Sequence, residues 1–186
     1  QGRDIFGCAQ TGTGKTAAFA IPILQNIKQA QNPGQGKRSI SALILAPTRE
    51  LAIQISEKFS AYGKSTGLRH AVIYGGVSQF HQVKKLKAGV DIVIATPGRL
   101  MDLMNQGYVD LRRLKILTLD EADRMLDMGF INDIKKIIAK VPAKRQTLFF
   151  SATMPAAIKK LSETILTDPV RISISPVNPS AENITQ

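Results

Sequence analysis

The chain reads as an α/β domain with a mostly parallel sheet and helices on both faces, and three observations carry that reading. Short, continuously apolar runs alternate with longer amphipathic stretches along the 186 residues, as buried parallel strands and their crossover helices do. Each run leads directly into an unusual short motif, which gathers the motifs at the carboxyl ends of the strands, where ligands bind in open α/β sheets. The first run opens into a Gly/Thr-rich loop ending in Gly-Lys-Thr.

In chain order, the run at residues 4–8 leads into Ala9, Gln10, Thr11, Gly12, Thr13, Gly14, Lys15 and Thr16. Gly12 and Gly14 let backbone N–H groups come close to phosphates, Lys15 can reach the β- and γ-phosphates, and the Thr16 hydroxyl suits a magnesium ion. A helix beginning there points its positive end at the anion. Ala9 stands where the common pattern has its first glycine. The run at 42–46 precedes Pro47 and Thr48, after which Leu51, Ile55, Phe59 and Tyr62 recur at helical spacing as a buried side. Residues 71–74 precede Gly75 and Gly76. Residues 92–95 precede Thr96 and Pro97, which read as an N-cap and a first-turn proline. The run at 116–119 ends in Asp120 and Glu121. A carboxylate closing a buried strand is costly without a cation, so Asp120 is a candidate magnesium support and Glu121 a candidate general base. Phe130, Ile134, Ile137, Ile138 and Val141 share one helical stripe, with Lys135, Lys136 and Lys140 largely off it. Residues 147–150 precede Ser151, Ala152 and Thr153. Residues 32–37 read as a surface loop. Residues 1–172 read as one domain, and residues 173–186, with Pro176, Asn178 and Pro179, as the start of a linker.

Lys and Arg number 25 against 14 Asp and Glu, giving a net charge of +11. That charge suits a polyanionic partner, nucleic acid or an acidic membrane surface, and equally a basic solvated exterior. Cys8 is the only cysteine, which excludes an intrachain disulfide and a cysteine-based zinc site and suits a reducing compartment. His70 and His81 show no partner pattern. No apolar stretch is long enough to cross a membrane. The sequence begins without Met a few residues before the phosphate loop, and we expect a piece of a longer chain.

Asp120, Glu121, Ala122 and Asp123 match the signature tetrad of the DEAD-box RNA helicases letter for letter. The chain resembles that family also at residues 9–16, at Pro47, Thr48, Arg49, Glu50, Leu51 and Ala52, at Gly75 and Gly76, at Thr96, Pro97, Gly98 and Arg99, and at Ser151, Ala152 and Thr153. The motifs stand in the family's order, and the bacterial branch is the nearest in general likeness. The resemblance implies the first of two RecA-like domains of an RNA-dependent ATPase and helicase, cytoplasmic, with ATP and Mg²⁺ as cofactors.

Residue by residue, the resemblance implies that Lys15, Asp120 and Glu121 are catalytic and that Thr16 and Asp120 serve the metal. Pro47, Thr48, Arg49, Gly76, Thr96, Pro97, Gly98 and Arg99 would contact the sugar-phosphate backbone of single-stranded or duplex RNA. Asp123, Ser151, Ala152 and Thr153 would couple the nucleotide state to RNA. Backbone contacts weaken with salt and carry little sequence information. With no Trp and only 5% aromatic residues, the sequence offers no aromatic platform for bases. The family's adenine-reading segment and its second RecA-like domain, with an arginine finger, fall outside this sequence. We therefore expect feeble ATP hydrolysis by these residues alone, no unwinding, and little discrimination between ATP and GTP. A DNA translocase on the same core and an ATP-gated RNA clamp are the competing readings.

Overall fold

All six apolar runs are strands in the computed structural model, which describes residues 2–8, 14–30 and 38–173. The first half runs β1 (Ile5–Cys8), α1 (Lys15–Gln29), β2 (Ala42–Leu45), α2 (Arg49–Tyr62), β3 (His70–Ile73), α3 (Phe80–Lys87) and β4 (Ile92–Ala95). The second half runs α4 (Pro97–Asn105), β5 (Ile116–Leu119), α5 (Ala122–Asp127), α6 (Ile131–Ile138), β6 (Gln146–Ser151), α7 (Ala156–Ile165) and β7 (Val170–Ser173). Ala9–Thr13 of the phosphate loop, the expected surface loop and the tail beyond Ser173 lie outside the described residues.

The strands form one sheet in the order β3-β4-β2-β5-β6-β1-β7, and every pairing is parallel. Successive side chains of a strand point to opposite faces, and this sheet covers both. Leu43, Leu45, Val93, Leu117, Leu119 and Phe149 face the layer formed by α3 to α7, with Leu100, Leu103, Met125, Ile134, Ile137 and Ile158. Their neighbours Ala42, Ile44, Ile92, Ile94, Ile116 and Phe150 face α1 and α2, through Phe19, Ile23, Ile55 and Phe59. Two-sided burial explains why β2, β4 and β5 are buried at every position and apolar at all but Thr118.

The stripe on α6 is as expected, with Ile134 and Ile137 buried and Phe130, Ile138 and Val141 packed against the core. Tyr62 departs from expectation. It is the last residue of α2 and is exposed. The seventh strand was not foreseen, because β7 pairs only with β1 on the sheet edge and is largely exposed, so it lacks the apolar signature. His70 proves to be partnered: its Nε2 lies 3.0 Å from Ser56 Oγ. Burial and the charge of Lys85 hold its pKa below the usual value.

Candidate active site

Parallel strands put every motif loop on one edge, and the backbone ties those loops together. Ala46 N–H donates to Ala95 O at 3.0 Å, Thr96 N–H to Ile73 O at 2.9 Å, and Asp120 N–H to Leu45 O at 3.0 Å. The sheet order then divides the edge in two. On β5, β6 and β1 stand Asp120 to Asp123, Ser151 to Thr153, and Cys8, the last described residue before the phosphate loop. On β3, β4 and β2 stand Gly75 and Gly76, Thr96 to Arg99, and Pro47 to Arg49. No spacing in the sequence encodes this order.

In the first half, Gly14 caps α1 with φ 80°, a left-handed conformation that glycine adopts without steric cost. The first N–H groups of α1 have no intrahelical acceptors, so the helix start is a ready anion cradle. Lys15 opens that helix, and its Nζ lies 3.9 Å from Asp120 Oδ1, with both side chains nearly buried. That separation is an ion pair but too long for a hydrogen bond. Asp120, 3% exposed, therefore keeps Oδ1 buried with no hydrogen-bond partner among the described residues. Burial pushes its carboxyl up to about 6, against the pull of Lys15, with Glu121 and Asp123 adding to the rise. A buried carboxylate short of partners beside a phosphate cradle fits the chemistry of a bound cation.

Glu121 bends the chain between β5 and α5 with φ 53° and ψ 53°. A non-glycine residue held there costs on the order of 1–3 kcal/mol and is typical of functional turns. Glu121 Oε2 lies 3.4 Å from Arg124 Nη1. Beyond it, Asp123, Ser151 and Thr153 close a ring. Asp123 N–H donates to Ser151 Oγ at 3.3 Å, and Ser151 Oγ donates to Thr153 O at 2.8 Å. Thr153 donates from both N and Oγ1 to Asp123 Oδ2, each at 2.8 Å. Burial tends to raise the Asp123 carboxyl, but the Thr153 hydroxyl and N–H prevail and hold it below its usual value. Ala152 O accepts from Cys8 Sγ at 3.7 Å, joining this corner to the end of β1.

In the second half, Thr48 caps α2 by accepting from Leu51 N–H at 3.2 Å, which leaves its hydroxyl proton free to donate. Arg49 lies over the Tyr74 ring at 4.9 Å. Gly76 adopts φ 77° with open space around its Cα. Thr96 occupies the cap position of α4 without a side-chain cap bond, the turn being set by Pro97 at the helix start. Gly98 lies in the first turn of α4. Arg99 is not the solvated residue its position allowed: Nη2 donates to Val77 O at 3.1 Å, Nε lies 3.7 Å from Asp102, and Nη1 is buried. Sequence reasoning missed Gln82, whose buried amide accepts from Tyr74 N–H at 3.1 Å and donates to Tyr74 O at 3.0 Å. A lone Gln among lysines carries no signal of that role.

A glycine-capped helix start, a buried acidic strand end and a seven-stranded parallel sheet define the chain as a RecA-like α/β domain. The chain belongs to the DEAD/DEAH box helicase family, whose model matches residues 1–161. Over 186 residues it is 46% identical to the DEAD-box ATP-dependent RNA helicase CshA of Streptococcus pneumoniae, covering 100% of this chain and 34% of that protein. It is 48% identical over 187 residues to the ATP-dependent rRNA helicase RRP3 of Yarrowia lipolytica, covering 100% of this chain and 38% of that protein. The chain thus spans little more than a third of these relatives. The crystal structure of a DEAD box protein from Methanococcus jannaschii superposes with a TM-score of 0.83 at 41% identity, covering 93% of this chain and 46% of that one.

Proposed function

We propose that this chain is the first RecA-like domain of an ATP-dependent RNA helicase, coupling ATP hydrolysis to RNA binding and local strand separation. The observation that carries the proposal is the division of the carboxyl edge into a nucleotide half, on β5, β6 and β1, and a second half, on β3, β4 and β2, built from N–H groups, hydroxyls and two arginines. Lys15 binds the β- and γ-phosphates, with the start of α1 beneath them. Thr16 and Asp120 would hold Mg²⁺, which supplies charge neutralisation on those phosphates when bound. Glu121 orients the attacking water and accepts its proton. Thr48, Arg49, Gly76, Thr96 and Arg99 grip the sugar-phosphate backbone of one RNA strand, with Pro47, Pro97 and Gly98 shaping their turns. The ring of Asp123, Ser151 and Thr153 links the two activities. A second RecA-like domain completes the site, and a cytoplasmic setting fits a sequence whose only cysteine is Cys8.

The test is ATP turnover by the whole protein, with and without single-stranded RNA, with DNA as comparator and Glu121→Gln as control. Stimulation by RNA alone, abolished in the variant, is expected. Equal stimulation by DNA, or none by either, would overturn the RNA assignment.

A further inference from the structure

The aromatic content of the chain gave no reason to expect a base-stacking surface, yet the second half of the edge ends in one exposed ring. Phe80 opens α3 and is 65% exposed, the most of any large apolar side chain described. Single exposed apolar residues are ordinary, so exposure alone carries nothing. What sets Phe80 apart is how firmly its backbone is held. The segment from Tyr74 to Phe80 leaves the edge strand β3 and is fastened at Tyr74 and from Val77 onward. Arg49 stacks on Tyr74, and the Gln82 amide bonds both backbone groups of Tyr74. Arg99 Nη2 holds Val77 O at 3.1 Å. Gln79 and Gln106 exchange amide hydrogen bonds at 2.8 and 3.1 Å, tying the start of α3 to the end of α4. Ser78 Oγ accepts from Phe80 N–H at 3.3 Å. His81 stands perpendicular to Phe80, ring centroids 5.3 Å apart.

Two of these fastenings, Arg49 and Arg99, come from the residues proposed to grip the RNA backbone. Phe80 also lies only four residues after Gly76, so their Cα atoms are at most about 14 Å apart. A ring displayed on a braced segment costs little conformational entropy to use, and every base offers a π-face to an aromatic side chain. We propose that Phe80 is a stacking platform for an unpaired nucleobase of the bound strand, adding a base contact at the β3 end of a track that otherwise holds only backbone. The inference rests on the RNA reading above. Phe80 would favour single-stranded over paired RNA, because a base within a duplex has no free face to offer.

The experiment measures RNA affinity of the whole protein by fluorescence anisotropy, using single-stranded oligonucleotides and matched oligonucleotides carrying abasic sites. Phe80→Ala is expected to weaken binding of intact RNA by about tenfold and of abasic RNA hardly at all. Phe80→Trp is expected to restore intact-RNA binding, and Phe80→Leu is not. The salt dependence should stay unchanged, since stacking releases no counterions. Equal losses on intact and abasic RNA, or no loss on either, would overturn the platform. If Phe80→Ala is silent while Arg49→Ala weakens binding, the platform fails and the RNA track stands. If both are silent, the RNA reading itself fails.

Discussion

Asp120 carries the sharpest conflict at the scale of single residues. It is an acid closing a buried strand, 3% exposed, with Lys15 near but beyond hydrogen-bond reach. Its carboxyl is raised to about 6 from an ordinary value of 3.8, chiefly by burial. An acid raised in the folded state contributes stability at low pH, where both states are protonated, and loses it as pH climbs from about 4 through 6. In metal-free buffer, Asp120→Asn should therefore melt close to the parent at pH 4.5 and above it at pH 8. The difference corresponds to on the order of 2–3 kcal/mol at most, less what Lys15 loses when the pairing goes, or several degrees in Tm. ATP turnover should vanish in the same variant. A parent and variant that melt with the same pH dependence would refute the conflict. The left-handed Glu121 next door adds a second local cost, in the backbone of the same turn.

Between elements, the critical joint is that of α5 with β6. Helix α5 spans only Ala122–Asp127, too short to hold its place by its own hydrogen bonds. The ring of Asp123, Ser151 and Thr153 fixes its start to the end of β6. Thr153→Val keeps the shape and the backbone bond but deletes the hydroxyl bond to Asp123, which should cost about 1–2 kcal/mol. If this joint transmits the nucleotide state, the variant should bind ATP normally and lose most of its RNA-stimulated turnover. Turnover that RNA still stimulates fully would leave the ring a structural clasp only. The motif residues on both sides of this joint were legible in the sequence, because each follows a continuous apolar run. Six strands announced themselves by apolar runs, most of them buried on both faces, whereas the largely exposed edge strand β7 has no such pattern. The hydrogen-bonded ring was not legible, because it depends on β5 and β6 being neighbours. The same holds for the Arg99 brace on Val77, which depends on β3 and β4 being neighbours, whereas the Gln82 brace on Tyr74 is local and was hidden only because a lone Gln carries no signal.

For the molecule as a whole, the question is whether its charge of +11 or its divided edge would govern the proposed RNA binding. Much of the excess is spread over exposed helix faces, as with Lys84, Lys85 and Lys87 on α3 and Lys135 and Lys136 on α6. The proposed contacts hold only two cations, and Arg99 is already paired with Asp102 at 3.7 Å. Binding of a single strand loses about 0.7 in the slope of log K against log salt for each phosphate neutralised. Arg49→Ala should therefore weaken RNA binding by the whole protein and make that slope shallower by about 0.7. Lys135→Gln with Lys136→Gln, both exposed on α6 and outside the motif loops, should leave the slope as it is. Titrations at several salt concentrations distinguish the two cases. If the lysine pair shifts the slope as much as Arg49 does, binding is a property of diffuse surface charge. The hydroxyls and N–H groups on β3, β4 and β2 would then have no special claim on RNA. If only Arg49 does, the grip is local and largely non-ionic, which is how a domain can hold many RNAs yet release them when the nucleotide half changes state.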